Sequence, residues 1–145
     1  MTVTTMNEIE FTIPGIPIPQ GSSRAFVVKG QRGPRANVTA ANSKTKGWRN
    51  DVALMAAQHA QSSLWEGPVE IFIWFRMPRP KSIKRRKREH PIVKPDLDKL
   101  VRSVLDSLTG IIWRDDCQVV RISTSKQYDD DGVKSGVTIK CREVF

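Results

Sequence analysis

The first patterned stretch of the chain alternates. Ile9, Phe11 and Ile13 are separated by Glu10 and Thr12, and a period of two predicts a half-buried strand. Residues 1–7 ahead of it are polar and expected to fray. Pro14, Gly15, Pro17 and Pro19 break the regularity. Arg24 to Val28 is a candidate second strand, and Gly30 to Pro34 reads as a turn. A helix is expected from Asn42 or Ser43, either of which can cap it. Trp48, Val52, Met55, Ala56 and His59 then recur at helical spacing, with Ala53, Ala57 and Ala60 favouring helix. His59 closes that stripe and is expected to be a partly buried structural histidine rather than a general base. Gly67-Pro68 ends the region.

Val69 to Met77 is apolar on both alternating faces, Ile71, Ile73 and Phe75 against Phe72 and Trp74, which predicts a strand buried on both sides. Pro78 and Pro80 stop it. Residues 79–94 have no apolar period and are expected to form a mobile loop. The clearest helix starts near Asp96: Leu97, Leu100, Val101, Val104, Leu105 and Leu108 make one continuous stripe, with Pro95 before it and Gly110 after it as punctuation. Val119 to Tyr128 and Val137 to Val144 read as two strands joined by a hairpin turn of composition Asp129-Asp130-Asp131-Gly132. Those turn acids lack calcium-loop spacing. The order predicts a single small α+β domain, a mixed sheet packed with two main helices.

Composition narrows the function. The 145 residues suit one domain with one ordinary core. No run approaches the length of a membrane helix, and Met1 to Ile9 lacks the basic start and apolar stretch of a signal peptide, so the expected location is the cytoplasm and no membrane partner is expected. Cys117 and Cys141 are too few and too far apart for a zinc site; both are expected to be free thiols packed as small apolar residues. The net charge is +9, and its distribution is the informative part. Between Arg79 and Lys94 stand Arg79, Lys81, Lys84, Arg85, Arg86, Lys87, Arg88 and Lys94 against one acid, Glu89. That segment alone carries +7, an electrostatic footprint for a polyanion. Arg24 belongs to a thinner basic band nearer the N-terminus. A solvated basic loop is the bland alternative.

Two acidic pairs bring in chemistry. Asp96 and Asp98 open the second helix, and Asp115 and Asp116 follow it. Magnesium prefers carboxylate oxygens and retains waters, so a few acids around one point suffice for phosphodiester hydrolysis. Two residues apart within a helix, Asp96 and Asp98 would face roughly opposite sides; at a helix start, with Asp96 still extended, their carboxylates could converge. The strand after the helix could bring Asp115 and Asp116 back beside them. The bland account makes Asp96 an N-cap and Asp98 a first-turn acid favoured by the helix dipole, which leaves Asp115 and Asp116 unexplained. Asp98, Arg102 and Asp106 lie four apart and could be a ladder of surface ion pairs; alternatively Arg102 or Lys99 projects towards a scissile phosphate. No nucleophile elbow, dinucleotide fingerprint or Walker loop is present.

Taken together, Lys94-Pro-Asp-Leu-Asp-Lys-Leu, Val104-Leu-Asp-Ser-Leu-Thr-Gly and Trp113-Arg-Asp-Asp-Cys-Gln-Val-Val resemble the RusA-type Holliday-junction resolvases of bacteria and their phages. The close resemblance spans about residues 94–121. It implies a magnesium-dependent homodimeric endonuclease, with manganese as the alternative ion, that resolves four-way DNA junctions by paired symmetric nicks in recombination and repair. It assigns Asp96, Asp98 and Asp116 as the metal-site carboxylates, with Asp115 in support. A family lysine falls on Arg102 here, and Lys99 stands where the family often has asparagine, so the catalytic cation is Arg102 or Lys99. The basic residues from Arg79 to Lys94, with Arg24, would contact DNA phosphates. The competing class is a branched-DNA binding protein without activity.

Overall fold

The computed structural model describes residues 7–20 and 32–144, the side chains of residues 32–43 excepted. The elements run β1 (Glu8–Pro14), α1 (Arg32–His59), β2 (Val69–Met77), α2 (Leu97–Leu108), a short 3-10 turn (Asp116–Gln118), β3 (Val119–Tyr128) and β4 (Gly136–Glu143). The strands form one sheet in the order β1-β4-β2-β3. β4 pairs antiparallel with both β1 and β2, while β2 and β3 are parallel. A parallel neighbour needs a crossover, and α2 supplies it. The expected mixed α+β sheet with two helices is present.

The helices lie on one face of the sheet. Val69, Ile71, Ile73, Phe75 and Met77 of β2 join Val137, Ile139 and Cys141 of β4 and Phe11 and Ile13 of β1 in a buried layer. Trp48, Val52 and Ala56 of α1 and Leu100, Val101, Val104 and Leu108 of α2 close it. Burial pushes the Cys141 thiol up to about 12, because a thiolate would be left unsolvated there.

Several expectations are corrected. β3 and β4 are not a hairpin: β2 lies between them. β3 is poor in apolar residues and takes the edge, while the apolar β2 takes an interior place. β2 is not buried on both sides. Phe72 and Trp74 face the open side half-buried, stacked with ring centres 6.1 Å apart, and Lys140 and Arg142 lie over Phe72 at 5.8 and 5.6 Å. α1 begins at Arg32 rather than Asn42 or Ser43, so residues 32–34 of the expected turn are helical; proline is tolerated in a first turn, where its missing N–H has no partner to lose. His59 is exposed, with Nδ1 3.0 Å from the Met55 carbonyl and its ring stacked on Phe11. Cys117 is exposed, not packed. The strand expected at Arg24 to Val28 lies outside the described residues, as do residues 1–6 of the seven expected to fray; Asn7 is held instead, its carbonyl accepting from the Glu143 N–H and its amide donating to the Glu143 carboxylate, both at 2.9 Å. No helix among the described residues is long and apolar enough to cross a membrane.

Candidate active site

Asp96 is the N-cap of α2 by its backbone: it is extended at φ −70°, ψ 140°, and its carbonyl accepts from the Leu100 N–H at 3.1 Å. Its side chain makes no capping hydrogen bond. The carboxylate instead pairs with Lys99 Nζ at 3.3 Å and is half exposed. Asp98, in the first turn, is exposed as well. Side-chain capping therefore does not account for the Asp96 carboxylate, while Asp98 keeps the first-turn place that the helix dipole favours. Two contacts hold this helix start in place. The Gln20 N–H donates to the Lys99 carbonyl at 3.0 Å, and Lys126 Nζ, from β3, donates to the carbonyls of Val93 and Pro95 at 2.9 and 2.8 Å. Arg102 is exposed. Of the two alternatives for Arg102, the Asp98–Arg102–Asp106 ladder is absent among the described residues, and Lys99 meets the Asp96 carboxylate.

The second acidic pair is built differently. α2 ends at Thr109, whose hydroxyl accepts from the Trp113 indole at 3.0 Å, and Trp113 is fully buried. Asp115 caps the short turn: its Oδ1 accepts from the Cys117 N–H at 3.0 Å, which holds its carboxyl below the usual carboxylate range. Gln118 completes this turn. Its Oε1 accepts from the N–H groups of Arg114 and Asp115 at 3.0 and 2.8 Å, and its Nε2 donates to the carbonyls of Trp65 and Gly67, both at 2.9 Å. Asp115 is thus occupied in structure, while Asp116 is exposed. Gln118 was not among the residues singled out in the sequence, although it stands two positions after Asp116 in the motif.

The basic segment is anchored rather than free. Arg79 spends all five guanidinium donors within the protein. It grips both oxygens of Asp130 at 2.6 and 2.8 Å and donates to the carbonyls of Ile83, Arg88 and Glu89. Its guanidinium sits 4.1 Å over the Tyr128 ring, and its backbone N–H donates to Asp129. Arg79 therefore organises the loop, and Asp129 and Asp130, expected as a solvated turn, are its partners. Arg79 holds the Asp130 carboxyl below its usual range. Arg85 pairs with Glu89 and Asp131, and Arg88 donates to the Tyr128 hydroxyl. Lys81, Lys84, Arg86, Lys87 and Lys94 are exposed and form no ion pair among the described residues. Arg24 lies outside the described residues.

The family described as endodeoxyribonuclease RusA matches residues 14–140. The chain belongs to the RusA family. It is also 33% identical over 148 residues to a Bacillus subtilis (strain 168) protein named uncharacterized protein YqaN, an overlap covering 96% of this chain and 99% of that one. That name carries no activity.

Membership of the RusA family makes the placing of the acids the central question. Among the described residues, no three of His, Cys, Asp and Glu gather into a metal-holding group. β3 does not bring Asp115 and Asp116 back beside Asp96 and Asp98. α2 is twelve residues long, about 18 Å at 1.5 Å per residue, with Asp98 in its first turn and Asp115 and Asp116 beyond its last. Asp116 leads into the start of β3, whereas Asp96 lies near Lys126, towards the far end of that strand. The donor chemistry of Asp96 and Asp98 nevertheless fits magnesium, which takes one or two carboxylates together with substrate phosphates and waters rather than a full protein cage.

Proposed function

We propose that this RusA-family chain is a magnesium-dependent endonuclease that resolves four-way DNA junctions by paired symmetric nicks, acting as a homodimer in the cytoplasm of a bacterial cell. The observation that carries this reading is the start of α2. Two exposed carboxylates stand there without side-chain capping bonds, with Lys99 on one of them, at the end of a segment carrying most of the chain's net positive charge.

Asp96 and Asp98 would hold the ion. When bound, it supplies positive charge at the phosphate and makes a water nucleophilic near neutral pH. The chain's own cations do the rest. Lys94 and the exposed lysines and arginines of the loop hold backbone phosphates, and Lys99 or Arg102 stabilises charge developing on the scissile group.

The homodimer has support in the same geometry. A four-way junction has approximate two-fold symmetry and calls for two matched sites. β3 is an edge strand with Val120 65% and Ile122 43% exposed, an unpaired ladder of the kind that accepts another strand. Antiparallel pairing of β3 with its copy would bring the Asp116 end of one chain to the Asp96 end of the other.

The test is cleavage of a labelled synthetic four-way junction, beside linear duplex, with and without magnesium. Symmetric nicks in the junction alone, lost in Asp98→Asn, are expected. Tight binding without cutting under any metal would move the chain to the inactive binding class. Mixing Asp98→Asn with Asp116→Asn, each inactive alone, tests the shared site: a heterodimer retains one intact carboxylate set and should recover single nicks. No recovery from a verified heterodimer would refute acids contributed by both copies.

A further inference from the structure

Beside Asp96 the structure has a cavity of about 600 Å³, within the range of about 300–1,000 Å³ for small-ligand sites. Its wall is unusual in composition. Pro17, Pro19, Pro78, Pro80, Pro91 and Pro95 line it, giving a stiff surface without backbone N–H donors. Tyr128 adds an aromatic wall held from one side by Arg79. Ile16 and Val93, also lining residues, are 56% and 43% exposed, so apolar side chains stand open to solvent there.

Polar groups complete the lining. Lys94, Lys99 and Lys126 border the same space as Asp96. Gln20 lines it too, and its side-chain carbonyl is buried without a hydrogen-bond partner among the described residues. A buried acceptor left unpaired is costly, and a ligand offering an N–H would satisfy it. The occupant should therefore be flat and apolar on its faces, carry donors and acceptors on its edge, and be attached to a negatively charged backbone that suits the lysines.

We infer that this cavity receives one unstacked nucleobase next to the scissile phosphate, and that Gln20 reads its edge. This rests on the nuclease reading and deepens it, since it gives the enzyme a way to prefer one cut sequence over another. Removing a base from its stack costs free energy, and burying both faces between proline and tyrosine walls offsets that cost. An aromatic and apolar slot flanked by cations is how single-stranded nucleic acid is generally held.

The test uses four-way junctions carrying a fluorescent base analogue, 2-aminopurine or pyrrolocytosine, at each position on either side of the cut. Fluorescence is read at saturating wild-type protein in chelator, so that nothing is cut. One position should brighten several-fold. Val93→Trp, which fills the cavity from an exposed position, should abolish the rise. Gln20→Leu, assayed with magnesium on a panel of junction sequences, should flatten the cut-site preference. If wild type binds and cuts junctions yet no position brightens, or if Val93→Trp brightens as wild type does, the pocket proposal is overturned and the nuclease reading stands. If wild type neither binds nor cuts, the nuclease reading fails and the pocket proposal with it.

Discussion

Replacing Gln118 with alanine removes four hydrogen bonds at once. Two hold the carbonyls of Trp65 and Gly67, and two satisfy the N–H groups of Arg114 and Asp115. A typical net contribution is about 0.5–1.5 kcal/mol per bond. The bonds at Arg114 and Asp115 are exposed, so water replaces them at little cost; those at Trp65 and Gly67 are partly buried and belong nearer the top of the range. The expected destabilisation is about 2–4 kcal/mol. With a urea m-value of about 1–3 kcal/mol/M, the unfolding midpoint should fall by about 1–2 M. Urea titration followed by tryptophan fluorescence is a suitable assay, because Trp65 and Trp113 flank the turn. Gln118→Glu separates the two halves of the network. Glutamate can still accept from both N–H groups but, when ionised, cannot donate to either carbonyl, so it should be no more stable than the alanine variant. A midpoint within about 0.3 M of wild type for alanine, or full stability for glutamate at neutral pH, would refute the reasoning. Junction cleavage should fall in both variants, since the same network fixes the turn that carries Asp116.

Other perturbations test the remaining parts. Arg79→Lys keeps the charge but loses the five-donor fork, so trypsin should cut within residues 81–88 roughly ten-fold faster; an unchanged rate would remove Arg79 from its organising role. The Asp130 carboxyl is held below its ordinary value by Arg79, so its stabilisation is complete above about pH 4 and lost as pH falls through the depressed value. Urea midpoints of wild type and Asp130→Asn should therefore differ at neutral pH and converge in acid; a constant gap would contradict this. Gly136 sits at φ +151°, and a Cβ there would collide with the Ile13 carbonyl between β1 and β4. Gly136→Ala should lower the melting temperature by about 5–10 °C, and an unchanged melt would show that the strand ends yield easily. Replacing Lys84 and Lys87 together by alanine should reduce the salt slope of junction binding by about 1–2; no change in slope would place the phosphates elsewhere.

How much of this was legible in the sequence depends on which forces are local. α2 was readable almost to the residue, because its apolar stripe, Pro95 and Gly110 all act within the helix or at its ends. The Val69–Met77 strand was readable for the same reason. The start of α1 was not, because residues 32–41 carry no apolar stripe and Gly33-Pro34 has the composition of a turn. The hairpin reading of β3 and β4 followed their closeness in sequence and the Asp-Gly turn. A counter-signal was present: Arg121, Ser123, Ser125 and Gln127 make β3 too polar for an interior place. The acids were legible as residue types, and the failure of Asp96 to cap by its side chain strengthens that reading. Their separation was not legible, since it depends on β3 being parallel to β2. The roles of Gln118, Arg79 and Lys126 lie in contacts 31 to 53 residues away in sequence, which no local pattern reports.

The parallel crossover explains why the basic segment stands beside the start of α2. Residues 79–94 leave the C-terminal end of β2, and both ends of the segment are fastened near the C-terminal end of its parallel neighbour β3. Arg79 is tied to Asp129 and Asp130, which directly follow that strand. Val93 and Pro95 are tied to Lys126 within it. A loop pinned at both ends at one edge of the sheet cannot carry its charge far from that edge, and α2 begins at the same place with Asp96 and Asp98. The basic segment and the carboxylates of Asp96 and Asp98 are thus adjacent because the segment and the start of α2 emerge at one edge of the sheet. Asp116 stands at the opposite end of β3, so on the proposed nuclease reading it would reach the Asp96 end only from a second copy.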